Sequence, residues 1–520
     1  MINKLIFIAI NDLEVMKLKK FIKNVFINIM LIQTIYIPEM KTEQSAEVYK
    51  KIEEKRNYKN KEGKNELKNN EKIFIDLNNL KKILTENNSE IKKYKSQIVQ
   101  SEAILKSKFA AWSPRVNLQS NEMPKLVTGN DFNKFSADTE SNKFTLGFDT
   151  TIEWDLVNPK RKLEIKIAKD QLDNNKLFYK NSVEDLFLEA LKIFYLIQAS
   201  YEEIDVAKES IEISELAFNE ADSKLQSGIG NKLDLLEAKI QLDRDQINLI
   251  NQISKLKKNI NSLSKILNIS KEIKVKKEDF TNIKWVWENN LEESLLSAFD
   301  NRFELKIKKK DIEINTNKSL STLSNKKPDL TFYNKYSISN SRGESGVTGV
   351  PNLDNTNKSN LNTVGIKFSW NIFDGGLIRQ NYLSLKEKNS ELEAEFQLSK
   401  TQIKQELMDA LINLDTSQKN IILSYDQLKA ARETLKISIK RMEAGLSTQR
   451  EIVNIQGDVS ESEKNFIKAI TDYNLSLSQL ERITLLDKSN FCEIKNKNIK
   501  SNNNYFYKFI NENNLNGYCS

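Results

Sequence analysis

Two stretches of this chain, Lys160 to Ser227 and Leu377 to Ala444, contain neither glycine nor proline, and each is closed by a glycine, Gly228 and Gly445. A helix of that length runs ~100 Å at ~1.5 Å per residue. Such a rod cannot fold back into a compact core. The stretches are copies of one another. Pro114 matches Pro328, Trp154 matches Trp370 and Gly228 matches Gly445, each at an offset of about 215 residues. The chain is a tandem repeat of one large unit.

Each repeat places alternating segments before its rod. In the first, Phe144, Leu146, Phe148, Ile152, Trp154 and Leu156 share one face, while Lys143, Thr145, Asp149, Thr151, Glu153 and Asp155 share the other. In the second, Val364, Ile366, Phe368, Trp370 and Ile372 oppose Thr363, Lys367, Ser369 and Asn371. Period two with aromatics fits a membrane barrel strand, apolar toward lipid and polar toward a water-filled lumen. It equally fits a half-buried strand of a soluble sheet. The rods decide between these. Leu407, Leu414, Ile421, Leu428, Leu435 and Met442 recur every seven residues, which is coiled-coil packing. The glycines at 228 and 445 are helix stops that allow a tight reversal. Each repeat therefore reads as a helical hairpin projecting far from its strands.

The order within each repeat is helix, strand, polar loop, strand, long helix, partner helix. The leading helices are expected at about 76–112 and 290–323, and the loops at 119–142 and 341–360. The partner helices are expected at about 232–267 and 448–486. Strands from a single chain cannot close a membrane barrel, which needs about eight. An open edge in lipid leaves backbone groups unpaired. If the strands are in membrane, the chain must oligomerise, and a trimer would join strands above to helices below in one hollow tube.

Composition removes other classes. With no histidine among 520 residues, His-based acid–base chemistry, Ser-His-Asp triads and the usual zinc sites are excluded. Cys492 and Cys519 lie in an Asn/Lys-rich tail without metal spacing or a disulfide framework. Gly343-x-x-Gly-x-x-Gly349 lacks the lysine and helix of a phosphate loop. No enzyme and no cofactor is expected. The net charge of +8 comes from lysines alternating with acids along helices, a solvated-face pattern rather than a nucleic-acid footprint. The basic run Met16 to Lys23, followed by apolar Val25 to Ile37, reads as a signal peptide or as a buried helix.

The chain at this point resembles the outer-membrane efflux protein (TolC) family over about residues 76–486. The matching words are Ser101-Glu-Ala103 before Ala111-Trp-Ser-Pro114, then Trp370-Asn-Ile-Phe-Asp-Gly-Gly376, then Ala444-Gly-Leu-Ser-Thr448 before Glu451. The resemblance implies a mainly α fold with membrane β: long helical hairpin coiled coils joined to a four-strand contribution to a trimeric outer-membrane β-barrel. It implies an outer-membrane exit duct for efflux or type I secretion, reaching into the periplasm of a Gram-negative-type cell. The implied partners are a homotrimer, a periplasmic adaptor (membrane fusion) protein, an inner-membrane ABC or RND-type transporter and outer-membrane lipid.

Carried over by position, Gly228 and Gly445 are the hairpin tips that dock the adaptor. Asp234, Glu237, Glu451 and Asn454 are the candidate selectivity ring at the entrance, where the family's second acid is replaced by Asn454. The acids are equally readable as ordinary helix-start residues. Phe148, Trp154 and Trp370 are expected to face lipid, and Lys143, Glu153 and Lys367 the lumen. The expected organisation is a targeting segment at 1–40, a charged disordered segment at 41–75 and a first repeat at 76–269. A connector at 270–287, a second repeat at 288–486 and a disordered tail at 487–520 follow. The alternative is a soluble periplasmic coiled-coil scaffold or adaptor, which requires no barrel strands.

Overall fold

The computed structural model describes residues 73–132, 134, 136–277, 283, 286–287, 289–347, 355–444, 446–486, Phe506 and Phe509. The targeting segment, nearly all of the charged segment and Gly445 lie outside the described residues. The first repeat runs β1 (Ile73–Ile75), α1 (Leu77–Asn87), α2 (Ser89–Phe109), β2 (Arg115–Asp131), β3 (Thr139–Val157), α3 (Arg161–Gln226) and α4 (Lys232–Leu267). After β4 (Ile273–Val275), the second runs α5 (Leu291–Asn301), α6 (Phe303–Leu323), β5 (Asp329–Val347), β6 (Asn355–Ser369), α7 (Leu377–Glu443) and α8 (Gln449–Thr484).

The long rods form as their sequence requires. α3 spans 66 residues and α7 spans 67, with no breaker inside either. Asp374 starts α7 by accepting the N–H groups of Gly376 and Ile378, both at 2.9 Å. These backbone donors, Ile378 first, hold its carboxyl below the ordinary range. The heptad stripe is buried at Leu407, Leu414, Ile421 and Leu428, then fades to half-buried at Leu435 and Met442. Burying such a leucine is worth ~2–5 kcal/mol against alanine.

The leading helix of each repeat is not continuous. It breaks at Asn88 in the first repeat and at Arg302 in the second, where ψ is 130° and 126°. Asn88 ends α1 and caps α2, accepting the N–H groups of Glu90 and Ile91 at 2.8 and 3.0 Å. Its amide also donates to the carbonyl of Ile266 on α4 at 2.7 Å. Arg302 instead reaches Glu406 on α7 at 2.5 Å. At Asn88 the side chain itself satisfies the N–H groups that open α2, whereas Arg302 makes no cap hydrogen bond and is held at the break by its pair with Glu406.

The strands are longer than their apolar cores. β2 pairs with β3, β3 with β5 and β5 with β6, all antiparallel, giving the order β2-β3-β5-β6. The stretches expected as polar loops are mostly ladder. β2 continues through Pro124 and Gly129 to Asp131, with irregularities between Gln119, Glu122 and Lys125 that accommodate the proline. β5 continues through Gly343 and Gly346. A strand can leave its apolar zone and keep its partner, so polarity alone does not end it.

Two cores hold the helices. One gathers Ile75, Leu80, Leu84 and Ile91 against Phe194 and Ile197 of α3, roofed by the parallel β1–β4 pair. The other lies between α7, α8 and α5 around Leu407, Ile421, Ile470, Tyr473 and Leu477. Burial pushes the Tyr473 phenol up. Between the cores Arg482 of α8 is 6% exposed at its side chain. It donates to Asp185 at 2.9 Å, Asn181 at 2.8 Å and Glu304 at 2.8 Å, tying α8 to α3 and α6. The expected connector contributes Ile273 and Val275 of β4, Ile283 and Trp287, all buried. Within the stretch expected as a disordered tail, Phe506 and Phe509 are buried in the second core. Among the described residues no helix is long and apolar enough to cross a membrane.

Candidate functional site

The helices form a layer with two free margins. α3 packs against α2 and α4 on one side and against α6 and α8 on the other, and α7 packs beyond α6 and α8. The margins are therefore α2 with α4 and, opposite, α7. The sheet has the same order. Its edge strands are β2, which follows α2, and β6, which precedes α7. Each presents an unpaired row of N–H and C=O groups over 17 and 15 residues.

The register fixes which side chains share a face. Phe148 stands opposite Ile338, and Trp154 opposite Phe332, which itself faces Ile366. The other face carries Arg115 opposite Glu153, Thr331 hydrogen-bonded to Asp155 at 3.0 Å, and Lys335 paired with Asp149 at 3.0 Å. Glu153 and Lys367 fall on this polar face with Lys143, as the alternation predicts. Trp370 does not belong to the ladder. Its strand ends at Ser369, opposite Asp329, because Pro328 before β5 offers no N–H to extend the pairing. Its indole donates to the carbonyl of Lys326 at 3.0 Å, and Trp154 donates in the same way to Trp112 at 3.0 Å. Each repeat thus pins the end of its second strand to the turn where its leading helix becomes its first strand.

At the far end the first hairpin turns as expected at Gly228, where φ is +80°. The N–H groups of Ile229 and Gly230 both return to the carbonyl of Lys224, at 3.1 and 2.8 Å. Asn231 then caps α4 by accepting from Leu233 at 3.1 Å. The second hairpin restarts at Thr448, whose hydroxyl accepts the N–H of Glu451 at 3.3 Å.

The two tips share a cavity of about 780 Å³ lined by Gly230, Asp234, Glu237, Arg450 and Asn454 among others. Three of the four candidate ring residues therefore meet there. Glu451 does not line it. It pairs instead with Arg441 of its own hairpin at 3.5 Å, while Arg450 crosses between hairpins to Glu237 at 3.5 Å. These exposed pairs are worth no more than ~1 kcal/mol each. Their effect is on field, since each acid carries a cation beside it. The acids at the tips do not reveal these two arginines in the sequence, although Arg450 adjoins Glu451. Among the described residues no group of acids or thiols is placed to hold a metal ion.

The sequence model described as outer membrane efflux protein matches residues 80–268 and 321–484. Comparison with curated proteins gives no match. Among solved structures the chain is similar to the Campylobacter jejuni CmeC outer membrane channel, with 15% identity, a TM-score of 0.63 and coverage of 82% of this chain and 90% of that one. It is similar to the outer membrane protein VceC of Vibrio cholerae at 11% identity and TM-score 0.62, covering 78% and 96%. It is also similar to the open state of the Neisseria gonorrhoeae MtrE outer membrane channel at 12% identity and TM-score 0.61, covering 78% and 88%. At these identities the likeness establishes the fold.

Proposed function

The chain belongs to the outer membrane efflux protein family, and from that premise we propose that three copies close edge to edge into one duct that docks a periplasmic adaptor at its hairpin tips. Its place in the outer membrane, its reach into the periplasm and its service as an efflux exit duct follow from the family, whose members are channels rather than enzymes. The observation that carries the closure is the coincidence of margins. β2, α2 and α4 lie along one side, and β6 and α7 along the other. A heterologous contact between those sides satisfies both backbone edges at once and generates a ring. Three four-stranded sheets supply more than the eight or so strands a membrane barrel needs.

In this reading Phe148 and Trp154 face lipid and the Glu153–Arg115 face lines the lumen. The tips at Gly228 and Gly445 receive the adaptor, behind which stands an inner-membrane ABC or RND-type transporter. Asp234, Glu237 and Glu451 surround the entrance with Asn454, and Arg441 and Arg450 moderate their field. The test is trimer mobility of isolated outer membranes on a gel without heating. A heat-labile band at three times the chain mass is expected, and recovery of monomer alone refutes the closure. Adaptor docking is tested separately by cross-linking from Asn231→Cys, where absence of any periplasmic adduct refutes tip docking.

A further inference from the structure

We propose that the second hairpin carries an aromatic slot whose resident ligand is the chain's own C-terminal segment, held by Phe506 and Phe509. This segment lies beyond residue 484, where the family match ends. In sequence it is Tyr505-Phe-Tyr-Lys-Phe-Ile510, an aromatic island in an Asn/Lys-rich stretch. Phe506 is 4% exposed and Phe509 8%. Both have helical backbone, and a spacing of three sets them on one face.

The slot is built from both helices of the hairpin. Phe506 meets Tyr473 of α8 at 5.4 Å between ring centres, and Phe509 meets Tyr425 of α7 edge-on at 5.4 Å and 86°. Tyr425 meets Phe466 of α8 at 5.6 Å, so the rings run as a chain across the α7–α8 seam. Edge-on and tilted arrangements at these distances are favourable beyond simple burial.

Each repeat has a core of its own. In the first, the β1–β4 pair covers the core beside α3, and Tyr201 donates to the carbonyl of Val275 at 3.1 Å. The second repeat has Ile283 and Trp287 ahead of α5, buried in the same core as Phe506 and Phe509. Through these ring contacts Phe506 and Phe509 clasp α7 to α8, and the ligand class is a Phe-x-x-Phe peptide.

The test uses hydrogen exchange on detergent-solubilised protein. In the full-length Phe506→Ala/Phe509→Ala variant, amides flanking Tyr425 and Tyr473 should lose at least about tenfold in protection, while those of β3 and β5 stay unchanged. A chain ending at residue 486 should show the same loss. A synthetic peptide of residues 501–514 added in trans should restore it, and the same peptide with both phenylalanines replaced by alanine should not. Unchanged protection in the full-length variant, or equal rescue by both peptides, overturns the proposal. Neither readout depends on trimer formation or adaptor docking.

Discussion

Replacing Arg482 by methionine should loosen the junction of α8 with α3 and α6. Burial raises the Glu304 pKa, but Arg482 and Arg302 outweigh it and hold the carboxyl below its ordinary value of 4.5. Removing one partner of a buried ion pair costs ~3–5 kcal/mol. Two features reduce that here. The Asp185 side chain is 53% exposed, so water replaces much of its lost contact, and Arg302 still stands 3.2 Å from Glu304. About 2–3 kcal/mol remains, or roughly 30- to 150-fold in the local opening constant. Hydrogen exchange of the α8 amides near Arg482 reads this directly. The pH dependence carries a sign. A carboxyl with a depressed folded pKa contributes stability above its unfolded value and loses it as pH falls through the folded value. The deficit of Arg482→Met should therefore be full at neutral pH and shrink below about 4.5 as Glu304 protonates. Glu304→Gln in the same chain should recover part of it at neutral pH. A deficit that is absent, or identical at neutral and acid pH, refutes the assignment of the energy to Glu304.

Phe148→Arg should cost ~2–4 kcal/mol and depress trimer yield in outer membranes, while Thr151→Arg on the opposite face should be tolerated; equal yields would remove the lipid assignment of the Phe148 face. At the tip, Gly228→Val meets open space but a φ of +80°, so it should cost ~1–2 kcal/mol and slow export without abolishing assembly. Gly230→Ala should be worse, because its Cβ would sit 2.5 Å from the Leu225 backbone nitrogen; comparable melting of the two variants would contradict this ranking. Arg450→Gln releases Glu237 and should increase cation preference in planar bilayers, whereas Asp234→Asn/Glu237→Gln/Glu451→Gln should abolish it. Unchanged selectivity in both variants would reduce the acids to helix-start residues.

What could be read from the sequence was whatever repeats or alternates. The rods, their glycine stop at 228 and the partner helix at 232–267 follow from the absence of breakers and a heptad stripe, which are local properties. The breaks at Asn88 and Arg302 are not local. Asn88 bonds to Ile266 and Arg302 to Glu406, partners 178 and 104 residues away. Nor were the outer halves of β2 and β5 legible, because composition there resembles loop and only the ladder partner makes it strand. Alternation places Trp370 on a strand face but has no means of recording that Pro328 ends the pairing one residue earlier. At the tips the acids mark helix starts in the sequence, but the Arg450–Glu237 pair exists only where α4 and α8 lie side by side.

The two unpaired sheet edges also set a rule for heredity and dosage. In a closed ring every chain supplies one seam and receives another, so no copy is redundant. A variant whose β6 cannot pair spoils any ring it enters, including the sound copies beside it. If half the chains in a cell carried such a β6 and mixing were random, only about one ring in eight would be wholly sound, far below the half that independent channels would retain. Damage at that edge should therefore behave as dominant, while damage at a solvent-facing loop should behave as recessive.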